Sequence, residues 1–222
     1  MNKQKMMLSI SADLANTEQE LLDYLKFLQE NNVDYVHMDV MNGTFTPATT
    51  YNFSRVNYVN AHTIIPLDVH LMIEQPEKHI KNYARAGANI LTVHKEVFQT
   101  REELVDCLCD IRKEGMLSGL ALNLQTNEKT LIDVLPYVDF LTIMGVEVGA
   151  SGQAFDDAII NKILIIDQIR TTYKMRFKIC VDGGVNPTII PDLKNVGVDM
   201  VVSSSYIYNS NEKELSLKRL RQ

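Results

Sequence analysis

Tyr35-Val36-His37-Met38-Asp39-Val40-Met41-Asn42-Gly43 sets an imidazole, a carboxylate and a thioether at successive two-residue steps, ahead of a glycine. On a β-strand that spacing puts His37, Asp39 and Met41 on one face and Val36, Met38 and Val40 on the other. Burying an unpaired carboxylate is costly, so the row reads either as a core His–Asp hydrogen bond or as part of a site. Pro66-Leu67-Asp68-Val69-His70-Leu71-Met72 repeats the pattern, with Asp68, His70 and Met72 sharing a face. Further runs end in His94 and Glu96, in Asn123, in Met144 and in Asp182. Imidazoles and carboxylates on such strand ends can converge as a divalent metal site of mixed nitrogen and oxygen character, suited to Zn, Fe(II), Mn or Co. The other reading is a hydrogen-bonded polar plug.

Glycines and serines gather after later strands: Gly149-Ala150-Ser151-Gly152-Gln153, Gly183-Gly184 and Ser203-Ser204-Ser205. Backbone N–H groups approach an anion closely where glycine allows it, and the loops after the last two strands of a β/α barrel recur as phosphate sites. Turn formation alone also calls for glycine. Three such loops side by side favour the phosphate reading.

The elements that must position these groups alternate along the whole chain. Strands are predicted at Met6–Ser11, 35–41, 66–72, 90–93, 117–123, 140–144, 176–181 and 200–202. Helical stretches lie between them, at 18–30, 53–62, 76–86, 100–114, 127–135, 156–173 and 187–195, with a final helix from about Asn211. In the first, Leu21, Leu22, Leu25 and Leu28 build one apolar face. Strands alternating with helices need right-handed parallel crossovers, and eight such units close a barrel. No GxGxxG follows the first strand, which disfavours a doubly wound dinucleotide fold. The expectation is a single-domain (β/α)8 TIM barrel spanning 1–222, with its active site at the C-terminal strand ends.

A net charge of −6 across 222 residues, without a dense basic run, argues against a nucleic-acid partner. Three cysteines without a secretory leader suggest a reducing compartment, and Cys107 and Cys109 face different ways on a helix. No apolar run is long enough to span a membrane. A cytoplasmic protein without membrane or nucleic-acid partners is expected.

The chain resembles the ribulose-phosphate 3-epimerase family from about Leu8 to Tyr208. The resemblance rests on His37-Met38-Asp39-Val40-Met41-Asn42-Gly43 with Phe45 and Pro47, on Asp68-Val69-His70-Leu71-Met72, and on His94-x-Glu96. It continues in Met144-x-Val146-Glu147-x-Gly149-x-x-Gly152-Gln153-x-Phe155, in Val181-Asp182-Gly183-Gly184-Val185 and in Val202-Ser203-Ser204-Ser205-x-Ile207. The resemblance implies that His37, Asp39, His70 and Asp182 bind one divalent metal ion, and that Asp39 and Asp182 also serve as acid and base. It implies that Met41, Met72 and Met144 line the reaction centre. The remaining substrate contacts it implies are Ser9, Gly149, Ser151, Gly152, Gln153, Gly183, Gly184, Ser204 and Ser205. The expected substrate is a small phosphorylated ketose, ribulose 5-phosphate, inverted at C3 to xylulose 5-phosphate. A homo-oligomer, dimer or hexamer, is also implied.

Several positions depart from the family's pattern. Its Asp after the second-strand methionine is Asn42, which marks the first place to look for altered substrate choice. An Asn becomes Ala48, the Pro-Gly-Phe-Gly-Gly loop becomes Val148-Gly149-Ala150-Ser151-Gly152, and a glycine becomes Ser204. Ser9 matches the family's first-strand serine only if one residue is deleted; otherwise Leu8 stands there. These changes touch the phosphate loop and lid, so a six-carbon ketose phosphate such as allulose 6-phosphate is the alternative substrate. A related barrel lyase or decarboxylase would need an Asp-x-Lys-x-x-Asp array, which is absent, and a non-catalytic sugar-phosphate sensor would not need both aspartates and both histidines.

Overall fold

The structure, a computed structural model, describes residues 5–50, 52–149 and 155–222. Its parallel strands are β1 (Met7–Ser11), β2 (Tyr35–Met41), β3 (Leu67–Met72), β4 (Ala88–His94), β5 (Leu117–Leu122), β6 (Phe140–Met144), β7 (Lys178–Asp182) and β8 (Met200–Ser203). They hydrogen-bond in chain order and close on themselves where Leu8 registers with Val201. The helices α1 (Glu18–Glu30), α2 (Phe53–Ala61), α3 (Ile80–Arg85), α4 (Arg101–Lys113), α5 (Ile159–Thr172), α6 (Ile190–Asn195), α7 (Ser205–Tyr208) and α8 (Lys213–Arg221) lie between and after the strands. The expected (β/α)8 barrel is the fold.

Strand alternation divides the core in two. Leu8, Ile10, Val36, Met38, Val40, Val69 and Leu71 point outward into the main apolar cluster beneath the helices. Ile90, Phe140, Cys180, Met200 and Val202 form a separate cluster, with Met7 and Tyr35 packed against it. This second cluster fills the barrel interior below the polar side chains, giving the site an apolar floor.

The opposite end of the barrel is held by a repeated polar clamp. Asp34, Asn89, Asp139 and Asp199 each accept a hydrogen bond from the first turn of the neighbouring strand, from the N–H groups of Leu8, Leu67, Ser118 and Ile179. Three of the four also meet an arginine from a helix: Asp34 with Arg221 at 3.0 Å, Asp139 with Arg112 at 2.8 Å and Asp199 with Arg170 at 2.5 Å. Backbone donors that the barrel's shear leaves unpaired are satisfied there, which leaves the other end free for chemistry.

Two predicted helices form differently. The stretch 127–135 makes two 3₁₀ turns, Glu128–Leu131 and Leu135–Tyr137. Asn127 accepts from the Lys129 N–H, Thr130 donates to the Asn127 carbonyl, and Pro136 supplies no N–H, so the α ladder has no start and no continuation. The stretch 76–86 opens as a 3₁₀ turn, Pro76–Lys78, and becomes α-helical only at Ile80.

Candidate active site

His37 and Asp39 on β2, His70 on β3 and Asp182 ending β7 all face the barrel interior and bring one ligand atom each to within 4.8 Å of one another. The register explains this: Asp39 lies opposite His70, and Asp182 sits one strand from the β8–β1 closure. His37 Nε2 is 3.1 Å from Asp39 Oδ1 and 3.5 Å from Asp182 Oδ2. His70 Nδ1 is 3.2 Å from Asp39 Oδ1 and 3.3 Å from Asp182 Oδ2. A tetrahedral ion with bonds of about 2.0–2.1 Å has ligand–ligand edges of about 3.3–3.4 Å. The four imidazole–carboxylate separations straddle that value and all four ligand atoms lie within 4.8 Å of one another, so these residues fit a divalent cation in donor chemistry and in those four edges.

The outer ring nitrogens are also committed. His37 Nδ1 donates to Asp68 Oδ2 at 2.8 Å, and the Ser9 hydroxyl donates to the same oxygen at 2.8 Å. His70 Nε2 meets His94 Nε2 at 2.8 Å, and His94 Nδ1 meets Glu96 Oε2 at 3.2 Å. The other Glu96 oxygen accepts from the Asn123 N–H at 3.0 Å and from the Thr126 hydroxyl.

These contacts set the charges of the metal-free cluster. Burial works against the His70 imidazolium, but the carboxylates of Asp182 and Asp39 outweigh it and raise its pKa to about 9. His37 is likewise raised against its own burial, by Asp39, Asp68 and Asp182. Burial disfavours the Asp39 carboxylate, yet His37 and His70 hold its pKa well below the usual range. Without a cation, two protonated rings take the place of the positive charge.

The remaining predicted residues fall as follows. Met41, Met72 and Met144 end β2, β3 and β6 at the mouth, Met72 and Met144 buried and Met41 half-buried. Ser9, not Leu8, points into the barrel; it is fully buried beneath the site with its hydroxyl bound to Asp68. Gly183 and Gly184 form the turn after β7 at φ 104° and 68°, where a Cβ on Gly184 would lie 2.6 Å from the Phe155 nitrogen. Ser204 precedes α7 and Ser205 begins it. Gly149 adopts φ 79° and lies against Thr46 of the loop after β2. Ser151, Gly152 and Gln153 lie outside the described residues.

Asn42 is exposed, and its side chain accepts from the N–H and hydroxyl of Thr44, inside the same loop. Sequence reasoning missed two links. Strand alternation puts Asp68 on the inward face but does not join it to His37, its register partner. His94 and Glu96 were placed at the mouth without the contact that ties them to His70. Asp13, which accepts from the Asp39 N–H at 3.4 Å, was not singled out.

A β/α barrel with imidazoles and carboxylates at its C-terminal mouth has the form of a barrel enzyme. The chain belongs to the ribulose-phosphate 3-epimerase family, a family of isomerases, whose sequence profile matches residues 6–208. It is 32% identical over 209 residues to a ribulose-phosphate 3-epimerase of Treponema pallidum (strain Nichols), covering 94% of this chain and 93% of the relative. To that of Synechocystis sp. (strain ATCC 27184 / PCC 6803 / Kazusa) it is 35% identical over 201 residues, covering 90% and 85%. Among solved structures, a 3-hexulose-6-phosphate synthase superposes with TM-score 0.66 at 20% identity over 98% of each chain, a likeness of fold.

Proposed function

We propose that residues 1–222 form one catalytic domain, a divalent-metal-dependent epimerase that inverts C3 of ribulose 5-phosphate to give xylulose 5-phosphate. The observation that carries the reading is the pair Asp39 and Asp182, both bound to the same two imidazoles but carried by strands on either side of the β8–β1 closure. Inverting a carbon next to a carbonyl requires taking a proton from one face of a planar enediolate and returning one to the other. Asp39 and Asp182 would act as that base and acid, a contribution of about 10²–10⁴-fold in rate.

His37, Asp39, His70 and Asp182 would hold the ion, with Zn, Fe(II), Mn and Co all suited to this donor set. When bound, such an ion supplies Lewis-acid stabilisation of charge developing on the substrate oxygens. Met41, Met72 and Met144 would wall the reacting carbon off from water without offering a competing proton. Gly183, Gly184, Ser204 and Ser205, with Gly149, Ser151, Gly152 and Gln153, would hold the phosphate through backbone N–H groups and hydroxyls. A homo-oligomer, dimer or hexamer, working in the cytoplasm completes the reading; no described helix is long and apolar enough to cross a membrane.

Incubation with ribulose 5-phosphate in D2O tests it. Deuterium should enter C3 as xylulose 5-phosphate forms, and should stop entering when the metal is removed. Exchange confined to a six-carbon ketose phosphate run in parallel, such as allulose 6-phosphate, would move the substrate and keep the chemistry. No exchange with either substrate in the metal-loaded protein would overturn the epimerase reading.

A further inference from the structure

The hydrogen-bond chain behind His70 has a direction. Glu96 sits at its outer end, fixed by the Asn123 N–H at 3.0 Å and by the Thr126 hydroxyl. A carboxylate only accepts, so the His94 nitrogen 3.2 Å from Glu96 Oε2, Nδ1, carries a proton. That leaves Nε2 of a neutral His94 as an acceptor. Its partner at 2.8 Å, His70 Nε2, is therefore the donor. With Nε2 keeping its proton on that side, Nδ1, which faces Asp39 and Asp182, is the nitrogen that gives up its proton when a cation binds. The reverse direction would set the His94 Nδ1 lone pair against the Glu96 carboxylate. Phe45, from the loop after β2, covers the relay with its ring centroid 4.9 Å from that of His94, and His94 is fully buried.

We propose that His94 and Glu96 are positioning residues that lock His70 in the tautomer presenting Nδ1 to the cluster, and so set its affinity for a divalent cation. This inference rests on the metal reading above. Partners in the layer behind a metal ligand typically change metal affinity by about 10–100-fold.

Two substitutions separate tautomer control from simple ring packing. His94→Phe keeps a ring against Phe45 and removes the acceptor. His94→Gln loses the ring and returns an amide oxygen near the former Nε2. Zinc affinity, measured by competition with a chromophoric chelator, should fall about 10–100-fold in His94→Phe and recover to within several-fold of wild type in His94→Gln. A role in packing alone gives the opposite order and overturns the inference. Long-range ¹H–¹⁵N spectra of the zinc-loaded protein should show His94 as a single neutral tautomer protonated at Nδ1. A proton on His94 Nε2 would also overturn it. Wild-type protein that binds no zinc would remove the metal reading and this inference together. Tight wild-type binding with His94→Phe unchanged would remove this inference alone.

Discussion

Asp39 and Asp182 stand at 3.1 to 3.5 Å from the same two imidazole nitrogens, on strands separated by the β8–β1 closure. Each carboxylate is thus both a candidate ligand and a candidate proton carrier. Asp39→Asn and Asp182→Asn should each lower kcat by about 10²–10⁴-fold at saturating metal, because the amide cannot exchange the proton. Metal content measured beside turnover separates a lost base from a lost ligand. Either variant retaining more than a tenth of wild-type turnover, with metal bound, would remove that residue from the mechanism.

The metal-free cluster should carry a pH signature. The folded-state pKa of His70 is about 9 and that of His37 is also raised, against an unfolded value of about 6.5. A raised pKa stabilises fully below the unfolded value and loses its effect as pH rises through the folded one. The chelator-stripped protein should therefore melt at progressively lower temperature between about pH 6.5 and 9, by the values just given. Over the same window metal affinity should tighten, since protons compete with the ion for both rings. A melting temperature flat across that range without metal would contradict the charge assignment.

How far the site could be read from residues follows from what strand alternation determines. The period-two rows Asp68-His70-Met72 and His37-Asp39-Met41 specify which face each side chain takes, and the eight alternating units specify the barrel, whereas the set His37, Asp39, His70 and Asp182 was legible only through the family resemblance. Which ring nitrogen meets which oxygen depends on the register between strands, and that appears only in three dimensions. The Asp68–His37 and His94–His70 contacts were hidden for that reason. Ser9 shows the same limit: whether it or Leu8 matches the family's first-strand serine turns on a one-residue deletion, and the inward face of Ser9 shows only in the folded strand. Asn42, the departure that suggested altered substrate choice, spends its side chain on Thr44 in its own loop. The 3₁₀ turns at 128–131 and 135–137 differ from the expected helix because Asn127 and Thr130 compete for the backbone, a local contact that shows only once the chain is folded.

At the closed end, Arg221 of α8 spans the chain to Asp34 Oδ2 at 3.0 Å and to the Asn32 carbonyl at 2.6 Å. Asp34 also holds the Leu8 N–H, so it joins the last helix to the first strand at the barrel's seam. Asp34→Ala should cost about 1–3 kcal/mol, because it strips an acceptor from a buried backbone donor. Arg221→Ala should cost less, about 1 kcal/mol, since Asp34 keeps Leu8 and meets water. Thermal melts of both variants check the order, at about 2–4 °C per kcal/mol for a chain of this size. Equal shifts would mean that the ion pair, rather than the backbone cap, holds the seam.

Gly184 offers a test confined to the phosphate end of the mouth. Its φ of 68° disfavours any side chain, and a Cβ would lie 2.6 Å from the Phe155 nitrogen and 2.7 Å from its Cα. Those neighbours are backbone, so a Gly184→Ala substitution must push the turn after β7 away from the segment leading into α5. A strained position of this kind costs about 1–3 kcal/mol, which should appear as a lower melting temperature. The displaced N–H groups should raise KM for the sugar phosphate by about tenfold, the loss of about 1.4 kcal/mol of binding. Metal affinity should stay near wild type, because Asp182 belongs to β7 itself and keeps its pairing with Met144. A KM unchanged despite the lower melting temperature would place the phosphate away from this turn, on the remaining serine- and glycine-bearing loops.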